Sequence, residues 1–146
     1  MFKGVFLFLL LNFCGKIQAQ KLDATLDHIS LHVQNLDRSA AFYRDVFQLD
    51  SIPDPFPEFR VTWFQIGKGI QLHLFEDKGP IPAGKYHLCF RVLNLNQFID
   101  VLKIKKITYY DNKGQVGALT MRNDKVQQLY FNDPVGHKIE VNDAQH

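Results

Sequence analysis

The chain has 146 residues, 17 Lys and Arg against 15 Asp and Glu, and two cysteines. That length suits one domain with its own core, and a near-balanced charge with no basic run gives no electrostatic footprint for nucleic acid. The opening segment MFKGVFLFLLLNFCGKIQAQ has a basic start at Lys3, an apolar run from Val5 to Leu11 extended by Phe13, and small Ala19 before Gln20. This is the pattern of a secretory signal peptide over 1–19, too short to act as a stable membrane anchor. Cleavage leaves residues 20–146 as a single domain of neutral formal charge, exported to the periplasm or secreted, with no membrane segment remaining. Only Cys89 survives cleavage, so an internal disulfide is excluded, and the residue reads first as a small buried side chain.

From His28 to Val33 the chain alternates strictly, with Ile29, Leu31 and Val33 apolar and His28, Ser30 and His32 polar. The alternation predicts a strand with one face in a core and the other lining something polar. Asp37 then caps a helix whose apolar stripe includes Ala40, Tyr43, Phe47, Phe42 and Val46. Pro53, Pro55 and Pro57 mark a loop. Strands follow at 61–66 and 70–75, joined by Gly67-Lys68-Gly69, with Gln71, His73 and Phe75 on the polar face of the second. Residues 78–84 form a linker. The second copy opens with a strand at His87, alternating in the same phase as the first, and Asn96 caps a second helix that buries Phe98, Ile99 and Leu102. Three more strands are predicted near 118–121, 126–132 and 138–141, with a turn at Asp133-Pro134-Val135-Gly136.

The order strand, helix, three strands thus occurs twice, in a module at about 24–77 and another at about 85–142. His28-x4-Val33-x-Asn35-Leu36 recurs as His87-x4-Val92-x-Asn94-Leu95, 59 residues later. Ile70-Gln71-Leu72 and Ile139-Glu140-Val141 match at an offset of 69. A pseudo-twofold fold would bring His28, His87, Gln71 and Glu140 around one axis, and two imidazoles with a carboxylate make a divalent-metal site.

The opening LDHISLHVQNLDRSAAFY and the closing LYFNDPVGHKIEV resemble the vicinal oxygen chelate superfamily. It includes glyoxalase I, bleomycin and fosfomycin resistance proteins, methylmalonyl-CoA epimerase and extradiol dioxygenases. The resemblance covers about 26–142 and implies an α+β fold in which two βαβββ modules form a cup-shaped mixed sheet. It also implies one divalent ion (Fe, Zn, Mn or Ni) at the positions of His28, Gln71, His87 and Glu140, and a small oxygenated or anionic substrate bound through vicinal oxygens. The halves can pair within one chain or across a homodimer. Gln71 stands where glyoxalase-like members carry a second Glu. Tyr130, ten residues before Glu140, matches the end of the extradiol dioxygenase signature, while Met121-Arg122-Asn123 stands where that signature expects a His.

Glu140, His73 and Tyr130 are the candidate catalytic groups, in lyase, isomerase-like or dioxygenase-like chemistry. His73 and Tyr130 serve equally well as polar lining. His32 leans structural or substrate-contacting, and Trp63, Phe75 and Arg60 could shape a pocket, Arg60 by attracting an anion. His137 in its turn and His146 at the terminus are expected to be exposed. The rival class is a non-catalytic ligand-sequestering module of the bleomycin-resistance type, which generally lacks the metal triad.

Overall fold

The structure is a computed structural model that describes residues 25–55, 58–80 and 87–145. The proposed signal segment, residues 81–84 of the linker, and His146 lie outside the described residues. The first module runs β1 (His28–Val33), α1 (Leu36–Phe47), β2 (Ser51–Ile52), β3 (Val61–Gly67) and β4 (Ile70–Glu76). The second repeats it as β5 (Leu88–Arg91), α2 (Leu95–Ile104), β6 (Thr120–Met121), β7 (Gln127–Asn132) and β8 (Lys138–Asn142). Each module forms its own four-stranded mixed sheet, in the orders β1-β4-β3-β2 and β5-β8-β7-β6. The predicted βαβββ duplication is the observed architecture.

Both helices are capped two residues earlier than expected, by Asn35 and Asn94 rather than Asp37 and Asn96. Asn35 Oδ1 accepts the Arg38 N–H at 2.9 Å, and Asn94 Oδ1 accepts the Gln97 N–H at 3.0 Å. Each bond satisfies one of the free donors at a helix start. Asp37 instead sits in the first turn of α1, where a negative charge favours the helix dipole. Gly69, with φ +72°, takes the left-handed turn that closes the β3–β4 hairpin.

A single apolar interior serves both modules. Val33, Phe64, Leu72 and Leu74 from the first sheet and Leu129, Phe131, Ile139 and Val141 from the second join one buried cluster with Tyr43, Val46, Phe98 and Leu102 of the helices. Phe47 of α1 reaches across the modules, its ring 4.1 Å from Phe90, 5.4 Å from Phe98 and 6.1 Å from Phe131. A second cross-link is polar: the Tyr43 hydroxyl donates to Asp133 Oδ2 at 3.1 Å, and the His137 ring nitrogen Nδ1 lies 2.8 Å from the same oxygen. His137 is therefore buried, contrary to the expectation of exposure, because Asp133 draws both its ring and its backbone N–H into the β7–β8 turn. With the apolar faces pooled inside, alternation sends the opposite, polar face of each sheet away from the shared core.

The strand register gives the internal symmetry. In the antiparallel pairs, Trp63 lies opposite His73 and Tyr130 opposite Glu140, and in the parallel pairs Ser30 lies beside His73 and Cys89 beside Glu140. Residues 63 and 130, like 73 and 140, differ by 67, so β4 and β8 match at that offset rather than at 69. The structural counterpart of Glu140 is His73; that of Gln71 is Lys138.

Candidate metal centre

The polar face of the first sheet carries a run of stacked rings. His73 lies 3.8 Å from Trp63 at 17° on one side and 4.4 Å from His28 at 14° on the other. Adjacent strands stand close enough for such rings to stack across the sheet. Gln71 Oε1 lies 2.9 Å from His73 Nε2, and Asp27 Oδ2 lies 2.7 Å from His28 Nδ1, so each imidazole has an oriented nitrogen. Burial first, then the neighbouring His28, holds the His73 imidazole below its ordinary value of 6.5. His32, next on this face, stacks on Phe75 at 6.1 Å and approaches Asp77 at 3.3 Å.

The second face is polar throughout. His87, just ahead of β5, places Nε2 3.2 Å from Glu140 Oε2. Glu140 is buried, with its Oε1 accepting from Cys89 Sγ at 3.4 Å and from Asn142 Nδ2 at 3.3 Å. Burial alone would raise this carboxyl, but hydrogen bonds from Tyr130, Asn142 and Cys89, with the nearby His87, outweigh it and hold it below the ordinary carboxylate value. Tyr130 is itself pushed up to about 12, by burial and by its bond to Glu140, so it is a phenol at neutral pH and acts as a donor. Gln128 Nε2 donates to the Tyr130 oxygen at 2.6 Å, which leaves the phenol proton for Glu140.

The predicted residues thus fall into two groups. His28, Gln71 and His73 meet on the first sheet; His87, Glu140 and Tyr130 meet on the second. Among the described residues no cluster of three or more His, Cys, Asp or Glu is placed to hold one ion within a single chain. Arg60 is committed elsewhere, its guanidinium on Glu76 at 3.1 Å and Asp37 at 3.5 Å, and does not stand ready for an anion. Cys89 is exposed rather than buried, on the polar face of the edge strand β5. By sequence Cys89 reads only as a small buried side chain, and neither it nor Gln128 nor Asn142 is among the candidate site residues. The available signal was alternation, which puts Asn142 on the face of Glu140 and Gln128 on that of Tyr130.

Residues 25–141 match the profile of the Glyoxalase/Bleomycin resistance protein/Dioxygenase superfamily. The chain belongs to this superfamily. Mitochondrial methylmalonyl-CoA epimerase of Bos taurus is 29% identical over 132 residues, covering 82% of this chain and 74% of that protein. The match to the Homo sapiens epimerase covers 60% of that protein. A metallothiol transferase of Staphylococcus haemolyticus is 30% identical over 123 residues, covering 80% of this chain and 81% of that protein. Among superfamily structures, a glyoxalase family protein from Bacillus anthracis superposes with a TM-score of 0.71 at 24% identity, over 86% of this chain and 99% of that one. This last likeness speaks to the fold.

Proposed function

We propose that the protein is an exported, divalent-metal-dependent enzyme that moves a proton at a carbon beside a carbonyl, in the manner of an isomerase or epimerase. The observation that carries this reading is the matched placement of two proton-carrying groups, His73 and Glu140, at equivalent points of two duplicated sheets. Inverting a stereocentre calls for one group to take a proton from one face and another to return it to the opposite face. The names epimerase and metallothiol transferase among the relatives support proton transfer and metal dependence in turn.

The donor set fits a divalent cation: imidazoles of His28 and His87 with the Glu140 carboxylate, His87 and Glu140 already converging at 3.2 Å. A bound cation would stabilise an enolate or another anionic oxygen pair on the substrate. Gln71 accepts from His73 rather than serving as a separate ligand, and so fixes which imidazole nitrogen faces the substrate. Tyr130 donates to Glu140 and keeps it ionised.

In this reading the centre is completed by a second copy. β1 and β5 are edge strands of their sheets, and both polar faces point away from the common core, so two copies can appose the first face of one with the second face of the other. Export rests on the Lys3 to Ala19 segment.

Metal analysis of untagged protein tests the core of the proposal; absence of stoichiometric uptake would overturn it. Mixing His28→Ala and His87→Ala chains should restore part of the metal binding that each lacks alone, and no restoration rules out a shared centre. For the chemistry, a 2-methyl-branched acyl thioester incubated in D2O should gain deuterium at the branched carbon, and His73→Ala should abolish the exchange.

A further inference from the structure

Two side chains beside Glu140, Asn142 and Cys89, both donate to the same carboxylate oxygen. Asn142 is buried, and its Oδ1 accepts the Ala144 N–H at 3.2 Å, which fixes the orientation of the amide. Nδ2 then faces the polar cluster with two hydrogens and two acceptors: Cys89 Sγ at 3.1 Å and Glu140 Oε1 at 3.3 Å. The thiol, receiving one bond from Asn142, donates its single hydrogen to the same Oε1 at 3.4 Å. The two donors converge on one carboxylate oxygen and leave Oε2 as the atom beside His87, at 3.2 Å.

The first sheet has nothing of the kind. At the matching places stand Ser30 for Cys89 and Phe75 for Asn142, around His73 in place of Glu140. An imidazole has no second oxygen to occupy. The clamp is present only where the central residue is a carboxylate.

We infer that Asn142 and Cys89 are positioning residues that hold Glu140 Oε1 and turn Oε2 toward His87, so that Glu140 engages a metal through one oxygen and takes up a substrate proton only on that oxygen, when it is off the ion. The inference rests on Glu140 being a metal ligand, but the clamp itself can be read without metal. Loss of either donor frees Oε1 to turn toward the ion, which changes the number of oxygens bound, whereas a residue that merely supports the fold would alter stability and leave coordination as it was.

The test uses the full mature chain and Co(II), whose visible absorption falls in intensity as coordination number rises. In Asn142→Leu, Co(II) affinity should drop about tenfold to a hundredfold and the visible band should weaken. Cys89→Ala should shift the band in the same direction by a smaller amount. Asn142→Ala removes the donor without adding a charge, so it gives the answer should the leucine variant fail to fold. An unchanged band and affinity in folded Asn142→Ala and Cys89→Ala overturn the clamp. If the parent protein takes up no Co(II), the metal reading falls, and metal-free crystal structures of parent and Asn142→Ala decide the clamp alone. Displacement of Glu140 Oε2 from His87 in the variant supports it; an unmoved carboxylate refutes it.

Discussion

Trp63 and Tyr130 occupy the same place in the two modules, each directly across a strand pair from the ionisable residue of its polar face, His73 or Glu140. The aromatic partner differs with the residue it serves. Tyr130 supplies a hydrogen bond to a carboxylate, while the Trp63 indole offers only its face to an imidazole 3.8 Å away. Trp63 is also the single tryptophan of the chain, so its fluorescence reports on His73. A protonated imidazole quenches indole emission. Emission of the metal-free protein should therefore fall with acid at a midpoint below the ordinary imidazole value of 6.5, and the step should vanish in His73→Asn. Emission that stays flat between about pH 7 and pH 4 would remove the coupling.

Glu76 governs acid stability at the start of α1. Hydrogen bonds from Lys78, the Leu36 N–H and Arg60 bring its carboxyl from 4.5 down to about 2. A carboxyl depressed in the folded state stabilises the fold above its unfolded value and loses that contribution as pH falls through its folded one. Denaturant midpoints of the parent should thus decline from about pH 4.5 toward pH 2, and Glu76→Gln should be lower at neutral pH with a flatter acid limb. Parallel curves for the two proteins would contradict this.

Phe47 is the apolar bolt between modules, touching Phe90, Phe98 and Phe131 of the second from α1 of the first. Phe47→Ala should cost roughly 3 kcal/mol in urea unfolding, since truncating a packed phenyl ring loses transfer energy and leaves a cavity. A loss under about 1 kcal/mol would show that the modules hold together without it.

Tyr43→Phe isolates the polar cross-link. The hydroxyl is buried and bonded to Asp133, so its loss leaves the carboxylate with fewer donors and should cost about 1–3 kcal/mol. Chemical denaturation of folded variant protein measures it, and a neutral effect would mean that His137 and the turn amides suffice for Asp133.

The repeated motif revealed the duplication, helical stripes revealed both helices, and alternation revealed the polar faces that carry His28, His87, His73 and Glu140. Alternation was not enough to set the register. A strand repeats every two residues, so sliding β4 by two against β8 keeps each side chain on its face, and Gln71 could stand for His73 without any conflict in the pattern. The aromatic-Phe-amide triplets Trp63-Phe64-Gln65 and Tyr130-Phe131-Asn132 held the missing information. They fix an offset of 67 in β3 and β7, and the following hairpins carry it unchanged into β4 and β8. Burial of His137 escaped notice for another reason: a turn histidine reads as exposed, and nothing in the pattern says that Asp133, four residues before it, is itself held inside by Tyr43 of the other module, 90 residues away. The grouping of site residues on two separate faces was equally hidden, because strand phase says which side a residue takes and nothing about what that side meets.

The common interior also sorts where the two copies have diverged. The buried pairs Phe64 with Phe131, Leu72 with Ile139 and Leu74 with Val141 are alike in kind. On the outward side His73 has parted from Glu140 and Phe75 from Asn142, while an aromatic ring is kept at Trp63 and Tyr130. Inheritance is written on one side of each sheet and invention on the other, so the chemistry of either copy is open to redesign by replacing outward residues while the packing that both copies share stays as it is.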